Sequence, residues 1–328
     1  MGIGGRLLIT GATGFLGGYL VRRLDAVGQP FEVLARSTSD LTQLRALPYC
    51  HAVHYGDLTG SDGLPSALRG VDTVIHAGAS VSFRRRDAQR MMRVNAGGTQ
   101  HLLDEMQRAG VRRLIYLSSV AALDRRSGGR PTGVRHRAAD PTRGSGYARS
   151  KRAAERAVTE AQDGGLSVSV LYPAVILGAG DWMGHNTPSL WRHCAGELPF
   201  YPGGRNGFVA VEDVVDGILR LLWQGKGGER WLLSAEEWRW RDILRTIARH
   251  IGARPPLLPL PPALSLPLAY GAERWADLTG GRPVLTVESN RNAQADYRYL
   301  PTAVPGGYRD IGGVLQRVSE KYLEDRGR

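Results

Sequence analysis

The sequence predicts an α/β fold: a doubly wound, mainly parallel sheet with a smaller, mostly helical C-terminal lobe. Short β-rich runs alternate with helical patterns, which is typical of crossover connections between parallel strands. A glycine-rich turn joins the first run to the first helix. Beyond Pro173 the alternation loosens, and from about Ala235 helices and proline-rich loops dominate. We therefore expect residues 1–177, with about 206–234, to form the sheet domain, and 178–205 with 235–328 to form the lobe.

Each strand is predicted from a short apolar or β-branched run, and each helix from apolar residues at helical spacing. The predicted strands are residues 7–9, Phe31–Ala35, Ala52–Tyr55, Thr73–His76, Arg113–Leu117, Ser167–Tyr172 and Arg230–Leu233. The predicted helices begin near Leu16, span about 88–109 and 147–161, and follow a strand end within 208–224. Gly110 is a good stop for the second helix.

The turn after the first strand has the features of a phosphate-binding site. Its glycines stand at positions 11, 14 and 17. Gly11 makes the turn, Gly14 lets the backbone approach a phosphate, and Gly17 lets the helix pack on the strand. Free N–H groups at the helix start then face a diphosphate, helped by the helix dipole. This predicts a Rossmann-type dinucleotide site, although a structural turn that binds nothing would use the same glycines.

Further candidate residues follow the next strands at their carboxyl ends. They are Arg36, Asp57, the turn Ala77-Gly78-Ala79, and Ser119. Ligands of doubly wound sheets bind beyond the carboxyl ends of the strands, so these positions converge on one edge. That convergence favours the cofactor interpretation. Asp57 has two interpretations, an adenine contact or a cap on the next turn.

Tyr147 and Lys151 are four residues apart, so they share one face of the predicted helix. A free phenol has a pKa of about 10, and a nearby ammonium lowers it. Ser119 is placed to hydrogen-bond a substrate oxygen. We expect these three residues to transfer a proton while a nicotinamide transfers hydride.

Together these motifs resemble the extended short-chain dehydrogenase/reductases, the NAD(P)-dependent epimerase/dehydratase superfamily, and most of all its dihydroflavonol 4-reductase and 3β-hydroxysteroid dehydrogenase branch. The resemblance covers nearly the whole chain. It implies a cofactor site formed by Thr10, Gly11, Thr13, Gly14, Phe15, Leu16, Gly17, Asp57, Leu58, Ala77, Gly78, Ala79, Tyr147, Lys151, Tyr172, Pro173 and Val175. It implies catalytic roles for Ser119, Tyr147, Lys151 and Asn95, where Asn95 either orders a water near the lysine or bridges backbone groups. Val211-Glu212-Asp213-Val214 stands where the family often has Val-Asp-Asp-Val.

Cofactor preference is predicted from the charge at the end of the second strand. NAD-selecting sites place a carboxylate there, whereas an arginine accommodates the 2′-phosphate of NADP. This chain has Arg36 and no acid at that position. We therefore expect NADP(H), with NAD(H) as the alternative if Arg36 only faces solvent.

Departures from the family pattern favour an oxidoreductase that reduces a ketone or oxidises a secondary alcohol. In sugar 4,6-dehydratases an Asp-Glu pair follows the hydroxyl residue at the end of the fifth strand. In this chain Val120 and Ala121 stand at those two positions. Many nucleotide-sugar enzymes carry Arg-Asp where this chain has Arg205-Asn206. Two alternatives stay open: a nucleotide-sugar epimerase with tightly bound NAD, and a non-catalytic NADP-sensing binding protein.

Two arginine clusters and a group of aromatic residues bear on the substrate. The clusters are Arg84, Arg85, Arg86, Arg90 and Arg93 after the fourth strand, and Arg125, Arg126, Arg130, Arg135 and Arg137 after the fifth. They either attract an anionic or carrier-linked substrate or are solvated surface residues. Trp182, Met183, Trp191 and Tyr201 are expected to wall an apolar pocket or to form the core of the smaller lobe.

The composition argues against several other classes. The net charge is +12, yet no nucleic-acid-binding motif appears. Cys50, Cys194 and the eight scattered histidines lack metal-ligand spacing, so no metal is expected. There is no secretory pattern and no apolar stretch of spanning length, which favours a cytoplasmic protein. The resemblance leaves a homodimer possible.

Overall fold

The computed structural model describes most of the chain. The described residues are 4–60, 62–125, 130–135, 144–180, 182, 187–196, 199–281, 283 and 285–327. Arg126, Arg137 and Met183, named above as candidates, lie outside these ranges.

The described residues form a central parallel sheet and two smaller sheets. The strands are β1 Arg6–Thr10, β2 Phe31–Ala35, β3 Cys50–Tyr55, β4 Val71–His76, β5 Arg113–Leu117, β6 Ser167–Pro173, β7 Val175–Leu177, β8 Phe200–Tyr201, β9 Arg205–Ala210, β10 Arg230–Leu233, β11 Glu236–Arg239 and β12 Leu258–Pro259. Within the described part of the chain, the central sheet has seven parallel strands in the order β10-β6-β5-β4-β1-β2-β3. The direction of winding reverses between β1 and β4, which opens a crevice at their carboxyl ends.

Helices cover the sheet and build the C-terminal part. They are α1 Phe15–Ala26, α2 Thr42–Arg45, α3 Leu64–Ala67, α4 Ala88–Met91, α5 Gly98–Ala109, α6 Gly146–Asp163, α7 Ser189–Ala195, α8 Val211–Gln224, α9 Trp240–His250, α10 Pro262–Thr279, α11 Val287–Gln294 and α12 Ile311–Arg326. Short 3-10 turns span Arg85–Asp87 and Val120–Ala122, and a π-helix spans Met92–Gly97. None of the described helices combines the length and the apolar character needed to cross a bilayer.

The buried apolar residues fall into three clusters. One lies on each face of the central sheet, around Leu114 and around Ile115, which alternate along β5. The third lies among α7, α9, α12 and β9, around Trp191 and Leu315. The sheet thus fixes the position of the crevice, and a separate core supports the C-terminal helices. The domain division expected from the sequence stays a prediction.

The predicted fold class is confirmed, and the structure contains elements that the sequence does not predict, among them a π-helix and α7. The segment 88–109 is helical, but the π-helix interrupts it before α5 ends at the left-handed Gly110. Helix α7 lies within residues 178–205, for which no helix is predicted above. A π-helix differs from an α-helix in closing i→i+5 hydrogen bonds over a single turn, so the apolar periodicity of the long segment does not reveal it.

Candidate active site

The glycine turn between β1 and α1 is held by close backbone contacts. Gly11 has a φ of +78°, and its backbone carbonyl accepts a hydrogen bond from the Gly14 N–H at 3.0 Å. A Cβ at Gly17 would lie 2.0 Å from the Gly11 carbonyl oxygen, and a Cβ at Gly11 would lie 2.5 Å from the Gly78 nitrogen. Both positions therefore require glycine.

The start of α1 fits a diphosphate. Gly14 is the N-cap residue, and no side chain caps the helix or places an acid in its first turn. The N–H groups of the first turn are consequently available to an anion. Thr13 is exposed beside them, while Phe15 and Leu16 are half-buried.

The turn after β4 lies against the glycine turn. The Ala77 N–H donates to the Thr10 carbonyl at 3.1 Å, which continues the β1–β4 pairing beyond the strands. A Cβ at Gly78 would lie 3.3 Å from both the Thr10 hydroxyl and a methyl of Leu58. The structure therefore brings Thr10, Gly11, Leu58 and Gly78 together at the switch point.

Arg36 and Asp57 lie at the ends of the neighbouring strands β2 and β3. Arg36 is exposed. The Asp57 carboxylate accepts hydrogen bonds from the backbone N–H and the hydroxyl of Thr59, at 2.8 and 2.7 Å. The backbone bond from Thr59, and to a smaller degree the charge of Arg36, lower the pKa of Asp57. Asp57 thus caps its own turn, and it lies close enough to Arg36 for the guanidinium charge to lower its pKa.

Ser119 and Tyr147 meet beyond the end of β5. Ser119 is the N-cap of the 3-10 turn, and its hydroxyl oxygen accepts a hydrogen bond from the Ala121 N–H at 3.2 Å. Burial raises the pKa of Tyr147, whereas a side-chain hydrogen bond with Ser119 and the charge of Arg125 oppose that rise. The sequence-based expectation of a lowered pKa is therefore wrong for this structure, because burial outweighs the neighbouring groups.

Lys151 lies one helical turn beyond Tyr147 and is buried. Its Nζ donates to the Leu117 carbonyl at 2.7 Å and lies 4.6 Å from the centre of the Tyr116 ring. Burial lowers the pKa of Lys151 to about 7, and the charge of Glu155 opposes this. The ammonium is directed toward the end of β5.

Asn95 joins the turn after β4 to α6. Its amide oxygen accepts from the Ser80 N–H at 2.7 Å. Its amide nitrogen donates to the Ser80 carbonyl at 2.8 Å and to the Ser150 hydroxyl at 2.9 Å. Ser150 in turn donates to the Tyr147 carbonyl at 2.8 Å. In this structure Asn95 bridges backbone groups and positions the first turn of α6.

A buried histidine beneath the crevice was not identified as a separate feature from the sequence. The Thr99 hydroxyl donates to the Asn95 carbonyl at 2.6 Å, so it accepts from His76 Nε2 at 3.0 Å. His76 Nδ1 then accepts from the Thr10 hydroxyl at 2.6 Å. Burial, assisted by the charge of Lys151, lowers the pKa of His76 to about 3. His76 is neutral and links β1, β4 and the helical segment that holds Asn95.

A buried ionic network around Glu155, whose charge acts on Lys151, was also missed. Tyr172 donates to Glu155 at 2.6 Å, and Ser118 donates to the same carboxylate at 3.1 Å. Arg230 donates to Tyr172 at 2.6 Å and to Glu155 at 3.3 Å. The phenol of Tyr172, a predicted cofactor contact, is therefore engaged in the core. Of the neighbouring predicted contacts, Pro173 is buried and Val175 is half-buried.

The described arginines of the two clusters lie in several different surroundings. Arg84 and Arg86 pair with Asp277 of α10 at 3.1 and 3.0 Å. Arg125 lies 4.4 Å from the centre of the Tyr297 ring. Arg90, Arg93, Arg130 and Arg135 are exposed.

The aromatic residues of the C-terminal part mostly serve its core. Trp191 is fully buried and donates to Ser319 at 2.8 Å. Trp182 packs edge-on against Trp191 and Tyr322. Tyr201 is half-buried, with the Arg245 guanidinium 5.4 Å from its ring centre. Trp182 and Trp191 therefore belong to the third core cluster. Among the residues that the structure describes, no group of three or more metal-ligating side chains occurs.

Comparison with known proteins gives consistent results. Residues 7–233 match the model of the NAD dependent epimerase/dehydratase family. Sterol demethylase protein B of Methylococcus capsulatus is 36% identical over 267 residues, 78% of either chain. Ceramide reductase of Caulobacter vibrioides is 30% identical over 285 residues, 84% of this chain and 80% of that protein. The crystal structure of gox2253 is similar with a TM-score of 0.81, 28% identity and 98% coverage of both chains.

Proposed function

Because this chain belongs to the NAD dependent epimerase/dehydratase family and is an enzyme of the extended short-chain dehydrogenase/reductase type, we propose that it is an NADP(H)-dependent oxidoreductase acting on a ketone or secondary alcohol. The observation that supports this best is the meeting of Tyr147 with Ser119, one helical turn from the buried Lys151. A phenol and a hydroxyl together suit an oxygen that becomes protonated when a carbonyl is reduced.

The residues around the crevice fit a dinucleotide. The uncapped first turn of α1 would bind the diphosphate, and the exposed Arg36 would bind a 2′-phosphate. The Nζ of Lys151 has N–H donors beyond the one given to the Leu117 carbonyl, and these would hold the nicotinamide ribose. When bound, the nicotinamide supplies or accepts a hydride.

The protonation states of the site favour reduction. Since burial raises the pKa of Tyr147, the phenol holds its proton at neutral pH and can donate it to a carbonyl oxygen. Ser119 would hydrogen-bond the same oxygen and keep it near the phenol. Lys151, with a pKa of about 7, exchanges protons near neutral pH and would help to restore the phenol proton. Asn95 acts in this proposal as a positioning residue, because it holds α6 through Ser150.

The proposed substrate is a lipid-like alcohol or ketone. The names of two relatives refer to a sterol and to a ceramide, which are both largely apolar molecules that carry hydroxyl groups. The anionic or carrier-linked substrate considered from the arginine clusters stays the alternative, with Arg84 and Arg86 sharing the carboxylate of Asp277.

The test is a panel of steroid and long-chain ketones with NADPH, followed by the loss of reduced-cofactor absorbance. We expect net NADPH consumption, and we expect Tyr147→Phe to lower kcat by about 100-fold or more while NADPH affinity is unchanged. Tyr49→Phe, at an exposed tyrosine outside the site, is the matched control and should retain full activity.

Two results would contradict this proposal. Purification with tightly held NAD and no net cofactor consumption would instead indicate an epimerase. NADPH binding without turnover on any ketone, and with the same behaviour in Tyr147→Phe, would indicate the non-catalytic sensing protein.

A further inference from the structure

Helix α10 presents a continuous apolar stripe to solvent. Leu264, Leu268, Trp275 and Leu278 are 59%, 58%, 70% and 78% exposed. Their spacing places them within about 80° of one another around the helix axis. The opposite face of α10 is the packed one, and it carries Ser265, Ala269, Glu273 and Ala276. The stripe therefore contributes nothing to the core, and large exposed apolar patches of this kind mark interaction surfaces.

The ribbon that precedes α10 also exposes apolar side chains. Strands β8 and β12 pair in parallel, and β12 leads directly into the helix. In this ribbon Phe200, Leu257 and Leu258 are 45%, 68% and 53% exposed. The stripe and ribbon residues are called the α10 surface below.

Arginines flank the α10 surface on one side. Arg274 of α10 lines, with Arg85 and Arg86 of the segment after β4, a pocket of about 230 Å³ beside the helix. Asp277 at this pocket pairs with Arg84 and Arg86. Within the part of the chain that the structure describes, Arg85 and Arg274 form no ion pair. The flank therefore keeps an excess of positive charge.

We propose that the α10 surface docks on a bilayer that contains anionic lipids. A helix with an apolar face and a cationic flank lies in the interface plane, with its apolar side chains at the acyl boundary and its arginines among the headgroups. Arginine is suited to this role because its guanidinium binds phosphate oxygens in a bidentate manner.

The charge distribution favours a bilayer over a second copy of this chain. An antiparallel two-fold pairing of α10 with a second copy would bring the flanking arginines of both copies to the same side. Like charges across an interface oppose association, whereas an anionic headgroup layer complements them. An anionic bilayer therefore matches both the apolar stripe and its flank.

The docking surface is connected to the candidate active site through α11. Gln294 of α11 donates to the Leu260 carbonyl at 2.6 Å and to the Ser265 hydroxyl on the packed side of α10 at 3.2 Å. At the other end of α11, Glu288 accepts from the Gly146 N–H at 3.1 Å, one residue before Tyr147. Docking would thus bring the membrane close to the site, although vesicle binding itself does not depend on the proposed reaction.

The test is flotation of the full chain with vesicles of phosphatidylcholine alone and of phosphatidylcholine with phosphatidylglycerol. We expect binding to the anionic vesicles and little binding to the neutral ones. Trp275→Glu and Leu278→Glu should each weaken binding about tenfold or more, since each removes one large exposed apolar side chain that would enter the acyl boundary. Arg85→Gln and Arg274→Gln should each weaken it about fivefold, and high salt should act in the same direction.

Leu323→Glu is the matched control, because Leu323 is an exposed leucine on α12, outside the α10 surface. This variant should bind vesicles as well as the unchanged chain does. Thermal unfolding and elution volume check that each variant is folded. Three results would overturn the proposal: equal binding to neutral and anionic vesicles, no binding to either, or a dimer that Leu278→Glu converts to a monomer. NADPH turnover is measured separately, so failure of docking and failure of the proposed reaction are distinguishable.

Discussion

Lys151 is more deeply buried than Ser119 and Tyr147, and its surroundings explain its pKa of about 7. Desolvation disfavours the ammonium, and the charge of Glu155 compensates only in part. The Leu117 carbonyl and the ring of Tyr116 are the groups that the ammonium contacts. A spacing of four residues places tyrosine and lysine on one face, but it does not report which groups surround the ammonium.

The lowered pKa of Lys151 predicts a pH dependence of stability. Unfolded lysine titrates near 10.4, so between about pH 7 and that value the unfolded chain binds more protons than the folded chain. The free energy of unfolding should therefore rise with pH across this window, by up to about 1.4 kcal/mol per pH unit from this residue. Urea unfolding at several pH values, compared with Lys151→Met, isolates the effect. Equal slopes for both proteins would contradict the assigned pKa.

At the scale of elements, the β1–α1 junction depends on close approach of the backbone. Gly17 lies in the first turn of α1, where its missing side chain lets the helix start beside the Gly11 carbonyl. Gly14 is less crowded, because a Cβ there would lie 3.3 Å from the same oxygen. The two glycines therefore differ: Gly17 is required by packing, whereas Gly14 would leave room for a phosphate in the proposed cofactor site.

This difference predicts opposite effects of two similar substitutions. Gly17→Ala would place a Cβ 2.0 Å from a carbonyl oxygen and should lower the free energy of unfolding by at least about 2 kcal/mol. Gly14→Ala should change stability by less than about 1 kcal/mol but weaken NADPH binding, since its methyl group enters the proposed phosphate site. Urea unfolding and cofactor titration measure both effects. A stable Gly17→Ala with normal cofactor affinity would refute this account of the turn.

The network around Glu155 joins α6 to β6 and β10. Arg230 is the cation of this network, and its removal would leave a buried carboxylate unpaired. We expect Arg230→Met to cost about 3–5 kcal/mol of unfolding free energy, because breaking a buried pair leaves its partner uncompensated.

Arg156→Met is the control for Arg230→Met, since Arg156 forms an exposed pair with Glu160 on the same helix. That change should cost less than about 1 kcal/mol. Similar losses of unfolding free energy in the two variants would show that the buried network stabilises the fold no more than a surface ion pair does.

At the scale of the whole molecule, the crevice is an assembly of strand ends, and its ligand should stabilise the entire fold. At a concentration about 100 times its dissociation constant, a bound ligand adds about 2.7 kcal/mol to the free energy of unfolding. We expect NADPH to raise the melting temperature more than NADH at equal concentration, because Arg36 is available to the 2′-phosphate. In Arg36→Ser this difference should disappear. A larger rise with NADH in the unchanged chain would reverse the proposed cofactor preference.

Several features of the site follow from neighbouring residues alone. The spans Phe31–Ala35, Arg113–Leu117 and Arg230–Leu233 agree with the structure, because apolar runs and their breakers are local signals. The end of α5 at the left-handed Gly110 likewise follows from a local signal, the glycine itself. The family is confirmed for the same reason, since its motifs are short stretches of contiguous chain.

Other features required distant parts of the chain to meet. His76 contacts Thr10 and Thr99, and Arg230 contacts Glu155, over separations that no periodicity records. The core position of Trp191 and the outward stripe of α10 are similar cases. Apolar spacing shows that a face is apolar, but only packing decides whether another element covers it.

The amino-acid order by itself determined the strand–helix alternation, the glycine turn and the Tyr147–Lys151 spacing, because each arises within a few consecutive residues. Tertiary structure decided that Gly11 meets Gly78, that burial sets the pKa values of Tyr147 and Lys151, and that α10 remains uncovered. The physical reason is that desolvation and close contact are properties of the space around a residue, and that space is filled by residues far away in the chain.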